Sequence, residues 1–208
     1  DLNSLDAYQA RVEAQYADAA AKGIYDPAVS HVNRYSADVM IPAFLSAYTV
    51  GGKRSLDIFP TIARMLPNWS VTYGGLSRLN AMKSIFKSFN LNHAYKSVFS
   101  IGSYNTFTTW QEYMGGLGFI RDVQTGQPTP SSMYDVSTVS INESFSPLFG
   151  IDMTFHNNLT AKIEYRRTRV LTLSMTNQQI NETRSNDFVI GLGYKIPDFK
   201  FAQPKKTI

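Results

Sequence analysis

The chain has 208 residues with a formal net charge of +4; 43% of its residues are hydrophobic and 13% are aromatic. Its mean hydropathy is slightly negative, and it contains no run of about 18 apolar residues, which excludes a helical membrane protein. Cysteine is absent, which excludes disulfides and cysteine-based catalytic or metal sites. No basic stripe organises the scattered positive charges, so we expect no nucleic-acid partner.

Residues 1–25 predict an N-terminal helix. From about Leu5 to Lys22 apolar side chains recur at steps of three and four residues, with alanines of high helix propensity between them. Ser4 is a candidate N-cap and Gly23 a candidate stop. We expect an amphipathic helix that packs on its neighbours. Its apolar positions are Leu5, Tyr8, Val12, Tyr16 and Ala19.

Residues 26–67 predict an irregular segment. It is rich in apolar side chains, yet it contains prolines, which break both helices and strand ladders, at positions 27, 42, 60 and 67. A long irregular stretch of this kind is unusual inside a compact domain. In a wide barrel, by contrast, it can pack inside the lumen or over one mouth, and we expect one of those two positions.

Residues 68–200 predict about six antiparallel strands. The clearest pattern runs from Phe89 to Ile101, where apolar and polar side chains alternate for about twice the length of an ordinary strand. A glycine-rich loop is expected from about Asn105 to Ser132, and a tail at 201–208. The strand candidates are residues 69–73, 88–101, 136–145, 149–155, 159–175 and 187–196.

Residues 156–158 predict a three-residue hairpin loop. This register pairs Phe155 with Leu159 and makes every pair along the hairpin apolar, whereas a two-residue loop would set apolar against polar side chains. Asn158 then falls where a left-handed residue is required. Residues 146–148 are interpreted in the same way, as a turn between two further strands.

The alternation predicts one face for lipid and one for water, as in the wall of an outer-membrane barrel. The side chains that we expect to face lipid are Leu91, Tyr95, Phe99, Phe149, Ile151, Met153, Phe155, Ile163, Tyr165, Phe188, Ile190, Leu192 and Tyr194. Those that we expect to face the lumen are Asn90, Asn92, Lys96, Thr160, Lys162, Glu164 and Arg166.

Three charged residues interrupt the apolar series. Glu143 falls opposite Ile151 in the predicted register, and Arg167 and Arg169 follow Tyr165. An arginine at the middle of the lipid face costs about 2–4 kcal/mol, but little near the headgroups. Either Tyr165 lies in an aromatic girdle with both arginines outside the hydrocarbon, or a bulge near Thr168 exchanges the faces.

No arrangement of residues predicts catalysis, a metal site or a cofactor. His31, His93 and His156 are far apart in sequence, and none has a metal-binding spacing. His93 is interpreted as a packed or interfacial histidine. The glycines at 115, 116 and 118 lack the lysine and the strand-to-helix setting of a phosphate loop, so they predict a flexible loop. We therefore expect that the chain is not an enzyme.

Five long stretches of the sequence have a distinctive order of residues: Ala37–Tyr48, Leu66–Leu79, Phe89–Tyr104, Asn142–Asn177 and Phe188–Ile196. They resemble the C-terminal part of the SprA/Sov family, whose members are very large outer-membrane proteins of the Bacteroidota. Members of this family form the translocon of the type IX secretion system and, in gliding bacteria, support motility. The resemblance covers about residues 37–200 and is weakest over the N-terminal helix.

The resemblance implies a segment of an exceptionally wide single-chain barrel through which folded cargo leaves the periplasm, with a plug and a shuttle protein as partners. The chain starts with Asp and has no signal peptide, so on this interpretation we expect an internal piece of a longer protein. About six strands are fewer than the eight of the smallest barrels. The rest of its own barrel and outer-membrane lipid are therefore further expected partners.

Two other function classes remain open. A porin or a TonB-dependent receptor-type transporter has the same strand pattern around a narrower pore of about 16–22 strands. A soluble β-sandwich or lipocalin-like binding protein would fold alone in buffer. The favoured expectation is an all-β, protein-conducting segment in the outer membrane of a Gram-negative bacterium.

Overall fold

The computed structural model describes residues 2–48 and 67–196. Within these ranges the chain is mostly antiparallel β-sheet with short helices, and no described helix is long and apolar enough to cross a membrane. The helices are α1 (Leu2–Gln15), α2 (Ala17–Ala21), α3 (Ala37–Tyr48) and α4 (Asn80–Lys83). The strands are β1 (Trp69–Tyr73), β2 (Phe86–Thr106), β3 (Gln111–Met114), β4 (Leu117–Arg121), β5 (Pro128–Ser131), β6 (Tyr134–Phe155), β7 (Leu159–Ser174) and β8 (Gln179–Tyr194).

The strands form two sheets, one of five strands in the order β1-β2-β6-β7-β8 and one of three in the order β3-β4-β5. Contacts divide the chain into two compact units. Each of the strands β2, β6, β7 and β8 contributes residues to both units. Of the described residues, the helical unit contains 2–48, 67, 97–142 and 170–183. The strand unit contains 68–96, 143–169 and 184–196.

The predicted N-terminal helix is present, as α1 and α2 with a break at Tyr16. Tyr8, Val12, Tyr16 and Ala19 are all buried, which confirms the apolar stripe. The helical segment ends at Gly23, whose φ of +67° suits a residue without a side chain. Ser4 lies inside α1 rather than before it, because the helix already begins at Leu2, so the N-cap prediction is wrong.

The expectation of an irregular segment is wrong for Ala37–Tyr48, which form α3 around an internal Pro42. A proline inside a helix costs about 3 kcal/mol. This helix is buried on two sides, with Ile41 and Phe44 in one apolar cluster and Val39 in another. Each such side chain contributes about 1.5–3 kcal/mol on burial, so packing outweighs the proline. Residues 49–66 of the predicted segment lie outside the described residues.

Two apolar clusters form the core of the helical unit. In the first, α3 packs on side chains of β6 and β7; its members are Ala37, Met40, Ile41, Phe44, Leu45, Val136, Val139, Ile141, Leu171 and Leu173. In the second, α1 and α2 pack on α3 and β4; its members are Tyr8, Val12, Tyr16, Ala19, Tyr25, Val32, Val39, Ala43 and Phe119.

Two polar side chains lie at these clusters, Tyr16 buried and Asp38 half-buried. The Tyr16 hydroxyl donates to the carbonyl oxygen of Gly118 (3.0 Å) and accepts from its N–H (3.3 Å). Burial, with the nearby Asp38 carboxylate, raises the pKa of Tyr16 to about 12. Burial also raises the pKa of Asp38 to about 6, and a hydrogen bond with Ser132 offsets part of that rise.

The predicted turn at residues 146–148 is wrong, because β6 runs through it without a break. Ring contacts of β6 with β2 join Phe86 to Phe155 (4.8 Å) and Tyr95 to Phe145 (4.9 Å), as an antiparallel pair requires. Continuous pairing with β2 therefore replaces the local hairpin. The strand candidates on either side of the turn are a single strand, and the main sheet has five strands.

The predicted loop at 105–132 contains the whole three-stranded sheet, so that prediction is wrong in part. Gly115 and Gly116 join β3 to β4 with φ values of +60° and +85°, which a two-residue hairpin turn requires. The prolines at 128 and 130 lie in β5, an edge strand, where a missing N–H is tolerated.

The hairpin between β6 and β7 is confirmed. β6 ends at Phe155 and β7 begins at Leu159, so the loop has three residues as predicted. Asn158 has a φ of +66°, and its N–H donates to the carbonyl oxygen of Phe155 (3.2 Å). The last strand starts at Gln179, earlier than the predicted residue 187.

Candidate functional site

Apolar side chains of β1 and β2 in the strand unit share one face. The antiparallel register pairs Trp69 with Tyr95, Val71 with His93 and Tyr73 with Leu91. The Trp69 ring stacks on Tyr95 with centroids 4.5 Å apart. Trp69 therefore covers Tyr95 on β2. Val71 and Tyr73 remain exposed and extend the apolar surface.

The same face continues on β6. Phe145 contacts the rings of Tyr95 (4.9 Å) and His93 (5.8 Å). The Nδ1 atom of His93 lies 2.7 Å from the carbonyl oxygen of Leu148, within hydrogen-bonding distance. His93 is therefore a packed histidine with a backbone partner, in agreement with its interpretation from sequence.

β7 and β8 extend this face to the end of the sheet. The Lys195 N–H donates to the carbonyl oxygen of Asn158 (3.0 Å), and the Tyr165 hydroxyl donates to Asn186 Oδ1 (3.2 Å). Odd-numbered side chains of β7 thus lie beside even-numbered side chains of β8. We call this surface the apolar face; its members are Trp69, Val71, Tyr73, Leu91, His93, Tyr95, Phe145, Phe149, Ile151, Met153, Phe155, Ile163, Tyr165, Phe188, Ile190, Leu192 and Tyr194.

Much of the apolar face is uncovered within the described part of the chain. Phe149 is 51% exposed, and the apolar-face residues of β8 are more exposed still, from 64% at Phe188 to 77% at Leu192. Contiguous apolar surface of this kind is rare on soluble monomers and marks contact with a membrane or another protein. The side chains of β8 that share this exposure are Phe188, Ile190, Leu192 and Tyr194.

The opposite side of the same strands is the polar face. Asn92 donates through Nδ2 to Asp152 Oδ2 (2.5 Å), joining β2 to β6. On β7, Glu164 is buried between Lys162 (2.7 Å) and Arg166 (2.5 Å). We define the polar face by its members Asn90, Asn92, Asp152, Thr160, Lys162, Glu164, Arg166, Gly191 and Gly193.

Two glycines of β8 lie against this polar face. Thr160 Oγ1 donates to the carbonyl oxygen of Gly193 (3.1 Å), and a Cβ added to Gly193 would meet that hydroxyl at 2.7 Å. A Cβ added to Gly191 would meet the Cβ of Lys162 at 3.6 Å. The polar side chains of β7 therefore lie beside small residues of β8, and no large apolar side chain intervenes.

The residues predicted to face the lumen lie together on the polar face, except for Lys96, whose side of the sheet is not identified by a contact. Asn92, Thr160, Lys162, Glu164 and Arg166 share the polar face, as the contacts above show. Asn90 Oδ1 is on the same side, since it lies against the Cβ position of Gly74 in the β1 connection. Lys96 is exposed at the end of the unit's part of β2.

Two of the residues assigned to lipid contact other parts of the protein. Phe99 is partly buried and packs against the apolar cluster formed by α3, β6 and β7 in the helical unit. Tyr95 lies on the apolar face but is buried, because Trp69 stacks on it. The cause is the same in both cases: a segment distant in sequence covers the strand.

Two of the three charges that interrupt the apolar series, Glu143 and Arg169, pair with each other. Arg169 Nη1 lies 3.5 Å from Glu143 Oε2, and the Tyr95 hydroxyl donates to Glu143 Oε1 (3.0 Å). Glu143 therefore does not oppose Ile151, because the predicted turn that paired them is absent. Arg169 thus points to the same side of the sheet as Tyr95 and Tyr165, so no bulge near Thr168 exchanges the faces.

The contacts of some members of the two faces were not identified from the sequence. Trp69, Val71 and His93 alternated correctly, but their contact with Tyr95 and Phe145 depends on the order of strands in the sheet. Asp152 was not named from the sequence as a member of the polar side. Its alternation with Ile151 and Met153 was the available signal.

The described residues contain no group of three or more histidine, aspartate or glutamate side chains that could hold a metal ion. No protein-family model matches the chain, and no curated protein matches it. The functional conclusion therefore depends on the chemistry of the two faces and on the sequence resemblance.

Proposed function

We propose that the chain is a segment of a wide outer-membrane β-barrel that conducts folded proteins, as its resemblance to the SprA/Sov family implies. The observation that carries this proposal is a sheet with an exposed apolar face on one side and a polar, hydrogen-bonded face on the other. Such a sheet separates an apolar phase from water, as the wall of a barrel does.

The exposed apolar face supports a lipid environment. Each large apolar side chain transferred out of water stabilises a protein by about 1.5–3 kcal/mol. In water, the exposed residues of β8 forgo most of that stabilisation, whereas acyl chains supply it. A soluble β-sandwich or lipocalin-like protein would cover the same residues with a second layer of its own.

The polar face supports a lumen through which protein moves. Glu164 is neutralised by Lys162 and Arg166, and Asp152 is hydrogen-bonded to Asn92. Both charge signs are present and partnered. A wall of this kind offers water-loving groups without a strong single-sign field, so a folded cargo protein adsorbs weakly to it.

Among the residues that the structure describes, no strand pairs with the outer edges of the sheet, which fits a segment rather than a whole barrel. β1 and β8 are the outer strands of the five-stranded sheet. Unpaired strand edges are not tolerated in hydrocarbon, since their N–H and C=O groups have no water to bind. We propose that further strands of the same barrel pair with both edges, and that cargo, a plug and a shuttle protein are the other partners.

The test is a pair of arginine substitutions in the complete protein in its host. Ile151→Arg should block assembly in the outer membrane, because an arginine facing the bilayer midplane costs about 2–4 kcal/mol. Thr160→Arg, on the polar face, should assemble normally. Fractionation and surface proteolysis measure assembly, and equal tolerance at the two positions would contradict the proposal.

A further inference from the structure

We infer that Arg167 and Arg169 form a binding site for the phosphate of an anionic membrane lipid at the border of the apolar face. The inference rests on the proposed membrane function and adds a ligand to it. The site lies where the odd-numbered side chains of β7 change from apolar to charged, just after Ile163 and Tyr165.

The geometry of β7 sets both guanidinium groups beside the lipid surface. Tyr165, Arg167 and Arg169 are successive odd-numbered residues, so they point to one side at spacings of about 7 Å. The Tyr165 hydroxyl donates to Asn186 Oδ1 (3.2 Å), which marks the first polar contact beyond the apolar side chains. The arginines therefore follow directly on a surface suited to acyl chains.

The charges at this border leave a positive excess. Arg169 is 3.5 Å from Glu143, and that carboxylate is shared with the Tyr95 hydroxyl. Arg167 is exposed and makes no ion pair with any residue that the structure describes. Arg184 adds a third guanidinium, in the same even-numbered series of β8 as Asn186, with Glu182 two residues before it.

Phosphate is the group that this arrangement recognises. A guanidinium donates two parallel hydrogen bonds to phosphate oxygens, with charge assistance. An arginine costs little at the headgroup level, where anionic lipids attract each basic side chain. A lipid rather than a free anion is inferred, because the apolar face continues from the same site and accepts the acyl chains.

The experiment compares two neighbouring arginines in the complete protein, purified in detergent. Short-chain phosphatidylglycerol and phosphatidylcholine are titrated separately, and bound lipid is counted by native mass spectrometry. Arg167→Gln should weaken phosphatidylglycerol binding about fivefold, the factor for one basic side chain at an anionic surface. Arg166→Gln removes the same charge from the polar face and should leave that binding unchanged.

Three results would overturn the inference: equal losses in both variants, no preference of the native protein for phosphatidylglycerol, or full displacement of the lipid by inorganic phosphate. A separate measurement tests the membrane proposal. Brominated acyl chains should quench the fluorescence of Trp69, which is the part of the signal that the Trp69→Phe variant lacks. Quenching without a lipid preference refutes the phosphate site alone, whereas absent quenching refutes the membrane proposal and the site with it.

Discussion

Odd-numbered side chains of the long strands have different surroundings in the two units. In the helical unit, Ile141 of β6 and Leu171 of β7 are buried under α3. In the strand unit, Phe149 of β6 and Tyr165 of β7 are exposed. The alternation is the same, so it identifies which side of a strand is apolar. What covers that side depends on segments that are distant in the sequence.

The largest expected loss of stability is found by comparing a buried leucine with an exposed one. Leu171 is 0% exposed and Leu192 is 77% exposed. Leu171→Ala should lower the free energy of unfolding by about 2–5 kcal/mol, because it leaves a cavity. Leu192→Ala should change it by less than about 0.5 kcal/mol. Guanidinium unfolding in detergent micelles measures both, and similar losses would remove the distinction between the units.

A pH titration tests how well α3 is covered. The pKa of Asp38 is raised from its ordinary value of 3.8 to about 6, so the folded state holds this proton more tightly than the unfolded chain does. Stability should therefore fall by about 2 kcal/mol as the pH rises from about 4 to 6, and then level off. Asp38→Asn should abolish that fall.

Asp122→Asn is the matched control for this titration. Hydrogen bonds from the Thr125 and Gln124 N–H groups lower the pKa of exposed Asp122, so its own contribution is lost as the pH falls. The variant should keep the fall between pH 4 and 6. An unchanged profile in Asp38→Asn would show that this carboxyl is not held in a covered position.

A smaller loss of stability is expected at the contact between Tyr16 and β4 of the three-stranded sheet. Tyr16→Phe removes the hydroxyl that both accepts from and donates to the backbone of Gly118. Losing a buried partner of this kind costs about 1–2 kcal/mol. Thermal unfolding measures the loss, with Tyr35→Phe, at an exposed position, as the control. Equal midpoints for the two variants would contradict the role given to Tyr16.

The smallest effect concerns the polar face. Glu164→Gln leaves Lys162 and Arg166 without their shared carboxylate. Because both cations are partly exposed, we expect a loss of only about 1 kcal/mol, which should shrink at high salt. Unfolding at low and high salt measures it. A loss that is the same at both ionic strengths would show that the ion pairs are not the cause.

Local signals in the sequence predicted the elements that local contacts determine. β1 has the predicted bounds, and Asn158 adopts the predicted left-handed conformation. α3 was missed because Pro42 argues against a helix, while the packing that outweighs it involves strands far along the chain. The turn at Pro147 failed for a related reason, since β6 pairs with β2 rather than folding back on itself.

The composition of the two faces was also predictable, but their surroundings were not. Alternation alone placed Thr160, Lys162 and Glu164 on one side and Ile163 on the other. It could not show that Phe99 packs against the cluster around α3, or that Arg169 reaches Glu143. Those contacts depend on the order of strands in the sheet, which side-chain periodicity does not encode.

The most direct test is a scan of single nitroxide labels from Leu159 to Tyr165 of β7, with the complete protein in lipid bilayers. We expect oxygen dissolved in the bilayer to relax the labels at odd-numbered positions most strongly. A water-soluble nickel chelate should relax those at even-numbered positions. Equal access of both relaxing agents to all positions would contradict a sheet with one face in lipid and the other in water.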